Sequence, residues 1–151
     1  MKLSPGSPIR MTVLSVPSHL PVVRAAVEKV CELAGVDEQA IGGVVLSVDE
    51  AMTNIIRHAY DGRGDQPIEI ELSVTDSADD APRLRICLRD FGRNVAPAEI
   101  RSRELDDVRP GGLGVHIMQE CMDSVTYEPA EGGGTRLTLT KRIVAQEELL
   151  P

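Results

Sequence analysis

The stretch Val48 to Tyr60, reading VDEAMTNIIRHAY, constrains the fold more than any other part of the chain. Val44, Val48, Ala51, Met52, Ile55, Ile56 and Ala59 recur at helical spacing, and on a wheel of about 100° per residue they fill one side. That side has to pack on a core. Glu50, Asn54 and His58 follow one another at i, i+4 and i+8 on the other side, where side chains of one helix are neighbours. A carboxylate and a carboxamide held one turn apart form a chemically useful pair. A Glu with an Asn four residues on is also what an ordinary polar helix face offers, so the pair gains meaning only from what the rest of the chain brings to it.

The rest of the chain reads as a sheet and two further helices. Ile9 to Val16 alternates loosely and predicts a first strand, at an edge. Ser18, after Pro17, is placed to cap a helix whose apolar stripe of Leu20, Val23, Val27, Val30 and Leu33 runs up to Gly35. Asp37 is the cap expected for the second helix, which runs to about Ala59. Gly42 and Gly43 each cost that helix about 1 kcal/mol relative to Ala, which close packing of its first turns against helix one would explain. Asp61 to Asp65 is a loop by its turn residues.

Ile68, Ile70, Leu72 and Val74 alternate with Glu69, Glu71 and Ser73. Leu84, Ile86 and Leu88 alternate with Arg83, Arg85, Cys87 and Arg89. The two runs predict a hairpin across a polar turn from Thr75 to Pro82. Residues 93–110 are polar and irregular; a stretch of that length inside a compact domain is read as a lid. Val115, Ile117, Met118, Cys121 and Met122 predict a third helix, Ser124 to Tyr127 a strand, Gly132 to Gly134 a tight turn, and Arg136 to Ile143 a last strand.

This order predicts an α+β fold: a two-layer sandwich of a mixed, mostly antiparallel sheet with three helices on one face. Residues 1–8, rich in Ser, Pro and Gly, are expected to form a flexible arm, 9–143 a single domain, and 144–151 an acidic tail.

Composition narrows the functional classes. At 42% hydrophobic and 26% charged, the 151 residues suit one folded domain rather than a disordered chain. Phe91, Tyr60 and Tyr127 are the whole aromatic set, so the core has to be aliphatic and base stacking on nucleic acid is disfavoured. The net charge of −8, with scattered basic residues, lacks the footprint of a phosphate-backbone binder. Direct nucleic-acid binding is not expected, whereas a nucleotide held by backbone amides and a metal ion remains open. Pro5, Gly6 and Pro8 interrupt the N-terminal run and no apolar segment is long enough to span a bilayer, so a cytoplasmic protein without membrane contact is expected. Cys31, Cys87 and Cys121 are far apart and each sits in an apolar run, which predicts buried, reduced thiols. His19, His58 and His116 show no zinc-ligand spacing.

Three further motifs give the helix its context. DFG at Asp90 to Gly92 ends a strand: a carboxylate there can accept from an exocyclic amine, and a glycine lets a flat ligand approach the backbone. The glycines at 111–114 precede a helix and would offer free N–H groups to an anion. GGGT at Gly132 to Thr135 enters the last strand. Each is common alone.

In this order and spacing the four elements resemble the nucleotide-binding fold of the GHKL ATPases. DEAMTNIIRHAY is similar to the N box of that group, DFGRN and RPGGLGVHIM to its two glycine boxes, and GGGT to its last motif. The small size and the ending GLGVHIMQECMDSVTYEPAEGGGTRLTLTKR most resemble the bacterial anti-sigma-factor serine kinases. The resemblance covers about Ile9 to Ile143.

It implies ATP and Mg²⁺ as cofactors, with Asn54 coordinating Mg²⁺ against the phosphates and Glu50 as general base toward the attacking hydroxyl. Asp90, assisted by Thr135, would bind the adenine amine; Gly92 would let the base sit close; Gly112 and Gly114 would hold phosphates beneath the lid. The family usually has glycine where this chain has Asn94, a departure that bears on lid geometry. Arg101, Arg103 and Arg109 lie in or beside that segment.

The expected activity is that of an ATP-dependent protein serine/threonine kinase that binds a sigma factor and phosphorylates a small antagonist protein. A homodimer is expected from the resemblance. The alternatives are a catalytically weak, nucleotide-dependent binding regulator and a detached histidine-kinase catalytic domain.

Overall fold

The computed structural model describes residues 2–77, 80–92 and 113–143 of the chain. Five strands, β1 (Ile9–Leu14), β2 (Pro67–Ser77), β3 (Asp80–Arg89), β4 (Ser124–Pro129) and β5 (Thr135–Arg142), form one sheet in the order β1-β2-β3-β5-β4. Every pairing among them is antiparallel, so the parallel component of the mixed sheet expected from sequence is absent among the described residues. Among the described residues three α-helices accompany the sheet: α1 (Leu20–Ala34), α2 (Glu38–Asn54) and α3 (Leu113–Cys121).

Alternation in the strands decides which face is covered. Ile68, Ile70, Leu72 and Val74 of β2, Leu84, Ile86 and Leu88 of β3, and Leu137 and Leu139 of β5 are buried in one cluster with Val23, Val27, Val30, Val44, Val48 and Met52 of the helices. Each fully buried side chain of this kind contributes about 1.5–3 kcal/mol. Register is therefore strongly specified: a slip of one residue would turn Arg85, Cys87 and Arg89 into the core and Ile86 and Leu88 out of it.

The helix ends follow their sequence signals in part. Asp37 caps α2 by accepting from the Gln39 N–H at 3.5 Å. Gly35 ends α1 with φ +85°, a left-handed conformation that costs glycine little, and its N–H donates to the Cys31 and Glu32 carbonyls. Ser18 is not a cap. It lies within a 3₁₀ turn, Pro17–His19, that precedes α1, and neither this turn nor α1 has a side-chain cap. The turn is tied instead through His19, whose Nδ1 accepts from the Leu14 N–H at 3.1 Å.

Four further expectations are revised by the packing. The hairpin strands continue through most of the expected polar turn, pairing out to Ser77 and Asp80 with a register shift between Thr75 and Ser77; polar residues suffice there because that end of the ladder carries little core. Residues 2–8, expected as a free arm, include two backbone anchors, Leu3 N–H to Leu33 O at 3.0 Å and Gly6 N–H to Val74 O at 3.3 Å. Of the cysteines, Cys31 is buried, but Cys87 and Cys121 are only half-buried, Cys87 because its place in the β3 alternation puts it on the sheet face opposite the core. Gly43 does pack closely, but against α3: a Cβ there would lie 2.9 Å from Cys121 Sγ, whereas one at Gly42 would meet nothing within 4 Å.

Residues 93–112 and 144–151, which include the expected lid, Asn94, Arg101, Arg103, Arg109, Gly112 and the tail, lie outside the described residues.

Candidate functional site

The second helix changes its winding where the sequence motif is densest. After Asn54 the hydrogen bonding shifts to a π-turn, Ile55–Ala59, closed by Tyr60 N–H to Ile55 O at 3.1 Å. One-turn π segments inside helices recur at functional sites. Glu50 and Asn54 keep the i, i+4 relation read from the sequence. His58 lies inside the π segment, where the winding differs from that of the α-helix carrying Glu50 and Asn54.

Glu50 and Asn54 are both half-buried, and neither side chain has a hydrogen bond or ion pair among the described residues. Their neighbours are satisfied: Asp49 is paired with Arg24 at 2.6 Å, and the Thr53 hydroxyl donates to the Asp49 carbonyl at 2.9 Å. A carboxylate and a carboxamide thus stand ready for a ligand or solvent on an element held by buried Val48, Ala51 and Met52.

The turn Asp90–Gly92 meets this helix end directly. A Cβ on Gly92 would overlap the Ala59 carbonyl, so only glycine permits this approach of backbone to backbone. Phe91 N–H donates to the Tyr60 hydroxyl at 2.7 Å, and that hydroxyl donates to the Pro67 carbonyl at 2.6 Å. Gly92 N–H donates to Asp90 Oδ1 at 3.0 Å, and Asp90 N–H to the Thr135 carbonyl at 3.1 Å.

The glycine run completes the contact from the other side. Gly132, Gly133 and Gly134 all have positive φ, at +86°, +112° and +82°, and a Cβ on Gly134 would overlap the Asp90 carbonyl. Arg89 pins that turn: its Nη2 donates to the Glu131 carbonyl at 2.7 Å, and its guanidinium lies 4.4 Å from the centre of the Phe91 ring.

Asp90 is a carboxylate at 4% exposure. Burial raises its pKa above the ordinary carboxylate range, while hydrogen bonds from the backbone of Gly92 and Thr135 and the charge of Arg89 draw it back. Burial likewise raises the Tyr60 hydroxyl, with the Phe91 N–H opposing it and the charge of Asp90 adding to it.

Asp90, Gly92 and Thr135 are therefore brought together, against the end of the segment that carries Glu50 and Asn54. Gly114 is the second residue of α3, whose body packs on α2 through Cys121 and Gly43. Sequence reading missed Tyr60, Arg89 and the π-turn. The first had a signal, since a tyrosine in an apolar helix end needs a partner for its hydroxyl. The π-turn had none.

A family model for the histidine kinase-like ATPase domain matches residues 13–141, which takes in every element of this site. The chain belongs to that family. Among similar proteins is the serine-protein kinase RsbW of Halalkalibacterium halodurans, 28% identical over 155 residues that cover 97% of this chain and 90% of that protein. The serine-protein kinase RsbW of Bacillus pumilus is 27% identical over 142 residues, covering 88% and 84%. The crystal structure of the RsbU and RsbW domains of a Mycobacterium tuberculosis protein shares the fold at a TM-score of 0.64 and 19% identity, covering 93% of this chain and 33% of that one. No helix among the described residues is long and apolar enough to cross a membrane.

Proposed function

We propose that the protein is an ATP-dependent serine/threonine protein kinase of the anti-sigma-factor type, acting both by binding a sigma factor and by phosphorylating a small antagonist of it. The observation that carries the nucleotide part is the convergence of a buried aspartate, two glycine turns and the π-turned end of the Glu50–Asn54 helix. The similarity to two serine-protein kinases over most of their length supports serine as the acceptor.

The residues suit ATP in their chemistry. Asp90 would accept from the exocyclic amine of adenine and so favour ATP over GTP, with Gly92 and Thr135 shaping its surroundings. Among the described residues no group of three or more His, Cys, Asp or Glu could hold a metal by itself. A hard cation such as Mg²⁺ would instead be held by the Asn54 side-chain oxygen together with phosphate oxygens and water, and would neutralise charge on the transferred phosphoryl group. Gly114 at the α3 N-terminus, with Gly112 before it, would supply backbone donors to the phosphates.

Glu50, one turn before Asn54 and without a partner among the described residues, would orient the attacking serine hydroxyl and accept its proton as oxygen attacks the γ-phosphorus and the bond to ADP breaks. Phosphoryl transfer depends on positioning and charge more than on covalent catalysis, which a site of backbone turns and two polar side chains provides.

The test is Glu50→Ala. The variant is expected to bind ATP as the wild type does and to lose transfer to a partner captured from the source organism, measured by isotope transfer and phosphosite mapping. Transfer at the wild-type rate would remove Glu50 from the base role. Wild-type ATP binding with no transfer to any captured protein would favour a nucleotide-dependent binding regulator.

A further inference from the structure

Three successive N–H groups of the Asp90–Gly92 turn are satisfied from three different directions. Asp90 N–H is taken by β5 through the Thr135 carbonyl, Gly92 N–H by the Asp90 carboxylate itself, and Phe91 N–H by the Tyr60 hydroxyl. Only the last reaches the segment that carries Glu50 and Asn54. Tyr60 is 4% exposed, and its hydroxyl is used in both senses, accepting from Phe91 at 2.7 Å and donating to the Pro67 carbonyl at 2.6 Å. One oxygen therefore joins the end of the helix, the first residue of β2 and the turn after β3.

We propose that Tyr60 is a positioning residue that fixes the base-recognising turn relative to the Glu50–Asn54 helix, so that nucleotide selectivity depends on its buried hydroxyl. The inference rests on the nucleotide reading above. Asp90 discriminates bases only if its carboxylate is held in one place, and its backbone is anchored on the helix side through Phe91. The neighbouring contact of Gly92 with the Ala59 carbonyl is repulsive if the gap closes, and the Tyr60–Phe91 hydrogen bond resists its opening. Together they set the separation in both directions. A phenylalanine at 60 would fill the same volume but could neither accept from Phe91 nor donate to Pro67.

Tyr60→Phe separates this role from plain destabilisation. Calorimetric titrations below the melting temperature would compare ATP with GTP, and ATP with and without Mg²⁺. The expected result is a loss of about tenfold in ATP-over-GTP discrimination, about 1.4 kcal/mol, with the Mg²⁺-dependent gain in ATP affinity unchanged because Asn54 is untouched. A residue of merely structural importance would lower the melting temperature and scale all affinities alike. Discrimination within twofold of wild type, with wild-type binding intact, overturns the Tyr60 inference alone. Failure of the wild type to bind either nucleotide overturns the nucleotide reading and this inference with it. Should the variant not fold, amide exchange in the wild type decides: the Phe91 N–H is expected to be protected with and without ADP, and exchange at the rate of an open loop overturns the inference.

Discussion

At Asp90 two physical effects oppose each other, and the balance gives the site a pH signature. Burial lifts its pKa, so between the ordinary carboxylate range and the raised value the folded protein holds a proton that the unfolded chain releases. Folding stability contributed by this group therefore falls as pH rises through that window. Nucleotide binding runs the other way, because only the ionised carboxylate accepts from the adenine amine. ATP affinity is expected to weaken on acidification at a pH above the ordinary carboxylate range, and Asp90→Asn to abolish both that dependence and the ATP-over-GTP preference. Titrations of ATP and GTP across acidic to neutral pH check this; a variant that keeps the preference contradicts it. Burial also acts on the Cys31 thiol. Burial, with Glu28 and Glu32 nearby, pushes Cys31 up to about 12, and Cys31 is fully buried where Cys87 is only half-buried. Iodoacetamide at neutral pH is expected to modify Cys87 well ahead of Cys31, as peptide mass mapping would show.

Among the elements, glycines carry the tightest constraints, and only some of those constraints were legible in the sequence. Gly42 and Gly43 both signalled a cost to α2, yet only Gly43 repays it, in a contact with α3 that chain order does not reveal. Gly42→Ala is expected to stabilise by about 0.5–1 kcal/mol, and Gly43→Ala to destabilise by about 1–3 kcal/mol from overpacking on Cys121; denaturant unfolding measures both, and equal effects would contradict the packing. Gly134→Ala meets both a left-handed backbone and the Asp90 carbonyl, and is expected to remove ATP binding along with several degrees of thermal stability. The strands were readable because alternation follows directly from burial on one face. The π-turn was not, since nothing in the composition of residues 55–59 separates i→i+5 from i→i+4 bonding.

Over the whole molecule, the α+β class, the strand order in sequence and the residues around Asp90 were accessible before any coordinates, because four motifs in fixed order leave few ways to bring them together. What escaped was the set of supports between motifs: Tyr60 bridging to Phe91, and Arg89 holding the glycine turn. Such contacts join residues from separate elements through backbone groups, to which no side-chain pattern points. The central claim is that these parts make one adenine nucleotide site on a single domain. Titration of the wild-type chain with Mg²⁺-ATP and Mg²⁺-GTP by isothermal calorimetry tests it most directly. Saturable binding of one ATP per chain with markedly weaker GTP is the predicted result, and absence of binding, or equal affinity for the two, would contradict it.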